Sequence, residues 1–479
     1  MPNAPGRCSK ACNHALLLIW IMTAATMARA DSLAGAATER HPNILFVTIE
    51  SMRADHAGAY GYARDTTPTL DALADEGTLF ETVVTTSNWT LPAVMSMFTS
   101  LFPGLHGAVS PQTRLRPDVK TLPGVLREAG YQTAAIISNP MLHRTFGCDA
   151  GFDLYDDFSI ALDVGGMDIL GDGAPPRLTH VVERITGPRT TQLADAWLRN
   201  RDPDRPFFLH VFYFDPHYSY LSPPPYNTMF TDSAYDGSQD GRGIKGIDSD
   251  ALTSSDKAHI VALYDGTVRF TDTQIARLLG IVESLGLEDR TLVIVTGDHG
   301  EEFWEHGSTA HGHTLYDELL LVPLVVRGPG VAPGQRIGGQ ISQLDIMPTL
   351  LAFLDLDIPD QCLGVSHAGL LRGGGEPPSV PAFMESVADR IPQAGLRTPD
   401  WKLIERYDTG AFEVYALTDD PEETRNLYGD PDAPLPPDLL ARFRAWKAMI
   451  ADGRRQASDT AEPMDRRLEQ QLRSMGYTH

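Results

Sequence analysis

Cysteine is scarce: the 479 residues hold four, at positions 8, 12, 148 and 362. They lack the close, repeated spacing of a structural zinc site, and so few thiols do not make a disulfide framework. Cys8 and Cys12 lie in a leader-like segment, which leaves Cys148 and Cys362 as the one pair open to an oxidising compartment. Long apolar runs are missing beyond residue 28. The run LLLVPLVV (319–326) is strand-sized, so the mature chain is expected to carry no transmembrane span. Basic residues are outnumbered, 39 Lys and Arg against 63 Asp and Glu, for a net charge of −24. That balance argues against nucleic acid and anionic membranes as partners. It leaves an anionic substrate open, because a bound metal and a few His or Arg invert the field in one pocket. Internal repeats and low-complexity segments are absent.

What is present is globular: 42% hydrophobic and 21% charged residues, in a chain long enough for one large domain and a satellite. At the N-terminus Arg7 and Lys10 precede the apolar run ALLLIWIMTAATMA (15–28), and Ala28-Arg29-Ala30 follows. This is the order of a secretory signal peptide; an uncleaved anchor is the alternative. Cleavage leaves Asp31 first and, with three basic residues gone, a net charge of −27. The chain is therefore expected to be exported, periplasmic or secreted. The expected plan is a signal peptide over 1–30, a linker over 31–41, a catalytic domain over 42–375, and a small C-terminal subdomain with a helical tail over 376–479.

Five short apolar runs read as buried parallel strands: NILFVTI (43–49), QTAAIIS (132–138), FFLHVFYF (207–214), TLVIVT (291–296) and PLVVR (323–327). Helical patterns lie between them at 67–77, 119–130, 190–200 and 268–286. The alternation predicts an α/β fold, a mostly parallel central sheet with helices on both faces. Residues 222–256, rich in Pro, Gly, Ser and Asp, read as a long surface loop. WKLIERYDTGAFEVYALTD (401–419) reads as a hairpin with a Thr-Gly turn, part of a small C-terminal sheet.

In open α/β sheets ligands bind at the carboxyl ends of the strands. There stand Glu50-Ser51 after the first run, Asp215-Pro216-His217 after the third, and Asp298-His299 after the fourth. Glu50, Asp298 and His299 offer mostly oxygen with one nitrogen, which suits one divalent cation, Mn²⁺ or Ca²⁺, with Mg²⁺ also possible.

The stretches NILFVTIESMRADHAGAYGY, FFLHVFYFDPHYSY, YDGTVRFTD, TGDHGEEFWEHG, HGHTLYDELLLVPLVVRGPG and QLDIMPTLL resemble, in order, the sulfatase family of the alkaline-phosphatase superfamily. RTPDWKLIERYDTGAFEVYALTDDPEETRNL is similar to that family's small C-terminal sheet. Family members carry Cys-x-Pro-Ser-Arg, then Thr-Gly and Pro at fixed distances. In TSNWTLPAVMSMFTSLFPGLHG (86–107), Thr90 and Pro92 open the motif, with Thr99 nine and Pro103 thirteen residues on. The register puts Thr90 at the nucleophile's place; an N-cap for the following helix is the plainer reading of the same hydroxyl. Three positions depart: Thr90 for the Cys or Ser, Val94 for the Arg, Ser100 for the Gly.

The family's Cys or Ser is converted to formylglycine, and the Cys-x-Pro-x-Arg pattern that directs the conversion is absent. No formylglycine is expected. A phosphorylated Thr is cleared by in-line attack of water, whereas a sulfated Thr cannot expel sulfate by collapsing to an aldehyde, so the departure tilts toward phosphorus. The resemblance implies Glu50, Thr90, Asp298 and His299 as metal ligands. It also implies Thr90 as nucleophile, and His217 and His311 as substrate-binding and catalytic imidazoles with His311 the general acid. His313 competes for that role, and Asn88 is expected to border the pocket. Arg53, Asp55 and His56 read as a structural cluster behind the site, and His106-Gly107 and His306-Gly307 as turns.

The implied activity is hydrolysis of a sulfate or phosphate mono- or diester in a small-molecule, glycan-linked or lipid-linked substrate. Glu50-Ser51 with a Thr nucleophile is also similar to phosphoethanolamine and phosphoglycerol transferases, which makes group transfer one alternative. A catalytically inactive binding protein is the other.

Overall fold

In a computed structural model the described residues are Met1, 41–157, 159, 185–245, 247–376, 379–386 and 392–456. The rest of the expected leader and linker, and the tail beyond 456, lie outside them. The strands in chain order are β1 (Asn43–Ile49), β2 (Thr78–Val84), β3 (Gln132–Ile137), β4 (Leu154–Asp156), β5 (Phe207–Tyr213), β6 (Thr291–Gly297), β7 (Glu302–Phe303), β8 (Thr309–Ala310), β9 (Leu324–Arg327), β10 (Gln335–Ser342), β11 (Ala382–Ser386), β12 (Gln393–Arg397), β13 (Trp401–Arg406) and β14 (Phe412–Ala416).

An eight-stranded sheet runs in the order β10-β2-β9-β6-β1-β5-β3-β4. Its middle, β6-β1-β5-β3, is parallel. The centre is buried on both faces, which is why its strands read as continuous apolar runs. Along β1, Ile44 and Phe46 enter one core while Leu45, Val47 and Ile49 enter the other. The first core is covered by helices Thr90–Thr99, Leu122–Glu128 and Ile346–Phe353. The second is covered by Pro68–Glu76, Gly187–Asn200 and Ser254–Ser284. No described helix is long and apolar enough to cross a membrane.

The expectation of parallel pairing fails at the fifth run. PLVVR forms β9, which lies antiparallel to both β6 and β2. The segment between β6 and β9, residues 298–323, is long enough for a crossover but carries only β7, β8 and the short helix Asp317–Leu320, not the crossover helix that usually joins parallel strands. The last helical pattern starts earlier than expected, at Ser254, where Thr253 and Asp256 form a capping box. That shortens the 222–256 loop, which otherwise carries only the 3-10 turns Tyr226–Thr228 and Ser249–Ala251 among described residues. Cys148 and Cys362 are both free thiols.

The C-terminal strands form a four-stranded antiparallel sheet, β11-β12-β13-β14, and the Thr-Gly turn appears between β13 and β14 with Gly410 at φ +67°. Leu396, Leu403 and Val414 of this sheet pack on Phe443 and Trp446 of helix Leu439–Gln456. An ion network ties β13 to the segment that follows β8. Lys402, fully buried, lies 2.8 Å from both Asp317 and Glu423, and Arg397 lies 2.7 Å from Asp317. Burial works against the Asp317 carboxylate, but Lys402 and Arg397 hold its pKa well below the ordinary range. Glu423 is pushed up to about 7 by burial, which its bond to Lys402 only partly offsets.

Replacing Lys402 with Met leaves two carboxyls buried without it and is expected to cost about 3–5 kcal/mol of stability. Urea unfolding at two pH values checks this. The loss should be largest above pH 7 and shrink toward pH 5, as the orphaned Glu423 takes up its proton.

Candidate active site

The parallel strands deliver the site. Glu50 follows β1, Asp298 and His299 follow β6, His217 follows β5 and Asn139 follows β3. Because β6, β1, β5 and β3 are adjacent, these strand-ends open on one another. Glu50, Asp298 and His299 have no exposed surface, and one ligand atom of each lies within 4.8 Å of the others. The turn after β6 needs glycine at position 300, where a Cβ would stand 1.9 Å from the Glu318 carbonyl oxygen.

Thr90 is the first residue of helix Thr90–Thr99. The N-cap is Trp89, without a side-chain cap bond, so the plainer reading of Thr90 as N-cap fails. Its hydroxyl instead donates to Glu50 Oε1 at 2.9 Å and stands 3.4 Å from His299 Nε2. Four residues on, Val94 is buried in the apolar core and brings no cation to the pocket. Ser100, in the family's glycine place, adopts φ +54° at the helix C-cap and anchors itself through Oγ to the Leu344 carbonyl at 2.8 Å.

Asn139 was not foreseen. Its Nδ2 donates to Glu50 Oε2 at 2.5 Å and to Thr90 Oγ1 at 3.3 Å, while its Oδ1 accepts from Met141 N at 2.7 Å. The strand-end rule that found Glu50 applies equally to the residue after QTAAIIS. Replacing Asn139 with Ala frees both the carboxylate and the hydroxyl to turn. It is expected to lower kcat by about 10- to 100-fold, and steady-state kinetics check it.

The imidazoles share one feature. His299 Nδ1 donates to the Gly300 carbonyl at 2.8 Å, and His217 Nδ1 donates to the Tyr218 carbonyl. His311, just after β8, sets Nδ1 3.1 Å from Glu301 Oε1, and its ring centre lies 5.0 Å from that of His217 and 4.3 Å from that of His299. His313 turns away to Glu302 at 2.7 Å. Asn88 gives its amide to the Thr314 carbonyl at 2.7 Å and so fastens the loop that carries His311. Asp215 accepts from Thr186 N and Oγ1. Arg53 binds Asp55 and Glu305, and His56 binds Asp265, as a structural cluster would.

Charge in the pocket is unbalanced. Burial and the neighbouring Glu50 charge push Asp298 up to about 7. Burial opposes a proton on His299, but the charges of Asp298 and Glu50 overcome it and raise its pKa to about 9. Burial also opposes the Glu50 carboxylate, yet the His299 bond and the His217 charge hold its pKa below the ordinary value. Burial keeps His217 down at about 4. The donor set fits a divalent cation: Asp298 Oδ2 is buried with no hydrogen-bond partner, and oxygen predominates in Glu50, Asp298, Thr90 and His299.

The comparisons with known proteins agree with this chemistry. The family pattern described as Sulfatase matches residues 42–356. The pattern described as N-sulphoglucosamine sulphohydrolase, C-terminal, matches residues 305–442. The N-acetylglucosamine-6-O-sulfatase of Bacteroides thetaiotaomicron is 25% identical over 477 residues, covering 81% of this chain and 83% of its own. The multifunctional alkaline phosphatase superfamily protein PehA of Trinickia caryophylli is 27% identical over 500 residues, covering 86% and 96%. The crystal structure of the phosphonate monoester hydrolase of Agrobacterium radiobacter matches with a TM-score of 0.68 at 25% identity, over 88% of this chain and 97% of that one. Fold, buried acid–imidazole cluster and relatives together define an ester hydrolase of the sulfatase and phosphonate monoester hydrolase kind. The chain belongs to the sulfatase family, within the alkaline phosphatase superfamily.

Proposed function

We propose that the chain is an exported, metal-dependent hydrolase that cleaves phosphate or sulfate esters, phosphorus preferred, with unmodified Thr90 as its nucleophile. The observation that carries this reading is the Thr90 hydroxyl, buried at a helix start and 2.9 Å from Glu50 within the acid–imidazole cluster. A divalent cation held by Glu50, Asp298, His299 and Thr90 supplies Lewis acidity to the hydroxyl and to the ester oxygens.

Glu50 accepts the Thr90 hydrogen bond, and Asn139 holds both groups in register. The N–H groups of the first turn of helix Thr90–Thr99 favour an anion beside Thr90. The Thr90 Oγ bond to phosphorus forms as the bond to the leaving oxygen breaks. His217 and His311 receive that oxygen; burial holds the His311 pKa well below the ordinary imidazole value, so His311 first takes up the proton that Thr90 sheds on attack and then passes it to the leaving oxygen. Water then cleaves the Thr90 ester, its oxygen leaving with the anion and a proton returning to the hydroxyl.

The relatives' names span a sugar sulfate and a phosphonate monoester. Thr90 and Val94 favour the second kind of centre, carried on a small molecule, a glycan or a lipid, and the leader-like N-terminus supports the reading of an exported enzyme, periplasmic or secreted. The test is turnover of three aryl esters side by side: sulfate, phosphate monoester and phosphate diester. A dominant phosphate mono- or diester rate, lost on chelation, is expected. A dominant sulfate rate would overturn the preference for phosphorus.

A further inference from the structure

Lysine is rare in this chain, six residues in 479, yet two of the six, Lys245 and Lys257, lie in or beside the loop 222–256. Lys257 turns to its own neighbours: its Nζ donates to Ser249 Oγ at 2.7 Å and lies 5.4 Å from the Trp304 ring centre. Lys245, partly buried, stands instead beside the imidazoles of the site. Its Nζ lies 5.5 Å from the ring centre of Tyr218, and that ring lies 4.0 Å from His217 and 5.5 Å from His311. The loop is fixed at this point. Ile244 has no exposed surface, and its carbonyl accepts from Thr309 Oγ1 at 2.9 Å, two residues before His311. The ammonium therefore stands on the side of the pocket where His217 and His311 receive the leaving oxygen. Its charge reaches both rings: burial does most to keep them neutral, and Lys245 adds to the effect.

We propose that Lys245 is a specificity residue that binds a second negative charge on the leaving alcohol, so that the substrate is an ester of an alcohol itself carrying a carboxylate, sulfate or phosphate group. The charge of the molecule makes such a residue necessary. The chain carries a net charge of −24, and Glu50, Asp298 and Glu301 are buried in the pocket. The metal centre answers the charge of the ester itself. An anionic group further along the alcohol meets a pocket rich in carboxylates, and like charge repels it unless a fixed cation stands there. The helix that begins at Thr90 does not supply that cation, because Val94 is buried in the apolar core. An ammonium is a compact charge on a flexible stem, which suits carboxylate and tetrahedral oxyanions alike. Tyr218 beside it offers the alcohol an apolar ring face. The inference deepens the ester-hydrolase reading of the pocket and rests on it.

The test compares four esters whose phenols are of comparable acidity: phenyl phosphate, 3- and 4-carboxyphenyl phosphate and 4-sulfophenyl phosphate, or the matching sulfates where the enzyme prefers sulfur. The metal-loaded full chain is expected to favour an acid-bearing ester over the phenyl ester by about 10-fold or more in kcat/KM, chiefly through KM. Whether a carboxyl or the sulfo ester gains most tells which kind of anion the site takes. In Lys245→Met, which keeps the stem against Tyr218, the preference should fall to near one. Turnover of the phenyl ester shows that this variant folds. Lys245→Arg should keep most of the preference, and Lys245→Glu should reverse it. Every variant sees the same four leaving groups, so differences in their reactivity cancel. No preference in the parent, or a preference that survives in Lys245→Met, overturns the proposal. So does an equal fall on all four esters in that variant, the mark of a lysine that only balances Glu301. A parent that turns over none of the esters removes the hydrolase reading as well, whereas turnover without the preference removes this inference alone.

Discussion

Replacing Thr90 with alanine is expected to lower ester turnover by on the order of 10³-fold or more. The hydroxyl stands at the start of its helix, faces the cluster rather than capping the helix, and touches Glu50 and His299. The variant loses one buried hydrogen bond, which costs about 1–2 kcal/mol, so the chain should stay folded and still bind the cation. Thr90→Ser keeps the oxygen and is expected to remain within about tenfold of the parent rate. Steady-state kinetics on an aryl phosphate, with circular dichroism to confirm folding, separate loss of the nucleophile from loss of structure. Unchanged turnover in Thr90→Ala would leave direct attack by water as the mechanism.

Loss of the cation is expected to be as severe. Chelation should abolish turnover and added Mn²⁺ restore it, while Glu50→Gln should cut the rate by on the order of 10³-fold or more at any practical metal concentration. Glu50 is singled out because both of its oxygens are engaged, Oε1 by Thr90 and Oε2 by Asn139. The substitution therefore disturbs nucleophile and metal site together. Metal content measured beside the rate decides the point: a chain proven free of metal that turns over at full rate would refute the assignment.

The central sheet could be read from the sequence because its middle strands are buried on both faces, which forces continuous apolar runs such as NILFVTI and TLVIVT. β2 escaped because the exposed Glu81 and the half-buried Thr82 interrupt the apolar run TLFETVV at its middle. β10 escaped because QRIGGQIS is largely polar and shifts register near its two glycines. The direction of β9 was misjudged because burial dictates composition and says nothing about polarity; the lack of a crossover helix between β6 and β9 shows only in the structure. At the site, Glu50, His217, Asp298 and His299 follow apolar runs and were legible by position alone. Thr90 required the register of a family motif. Asn139 and Glu301 were missed because their importance lies in contacts with Glu50 and His311, across 89 and 10 residues of sequence.

The most direct test of the account is to stop the reaction in acid during turnover of a phosphate ester and map the modified residue by peptide mass spectrometry. The account predicts a phosphoryl group on Thr90, unaltered threonine at that position in the resting enzyme, and no adduct in Thr90→Ala. Rapid turnover with no adduct on Thr90 at any quench time, or an aldehyde in place of its side chain, would contradict it.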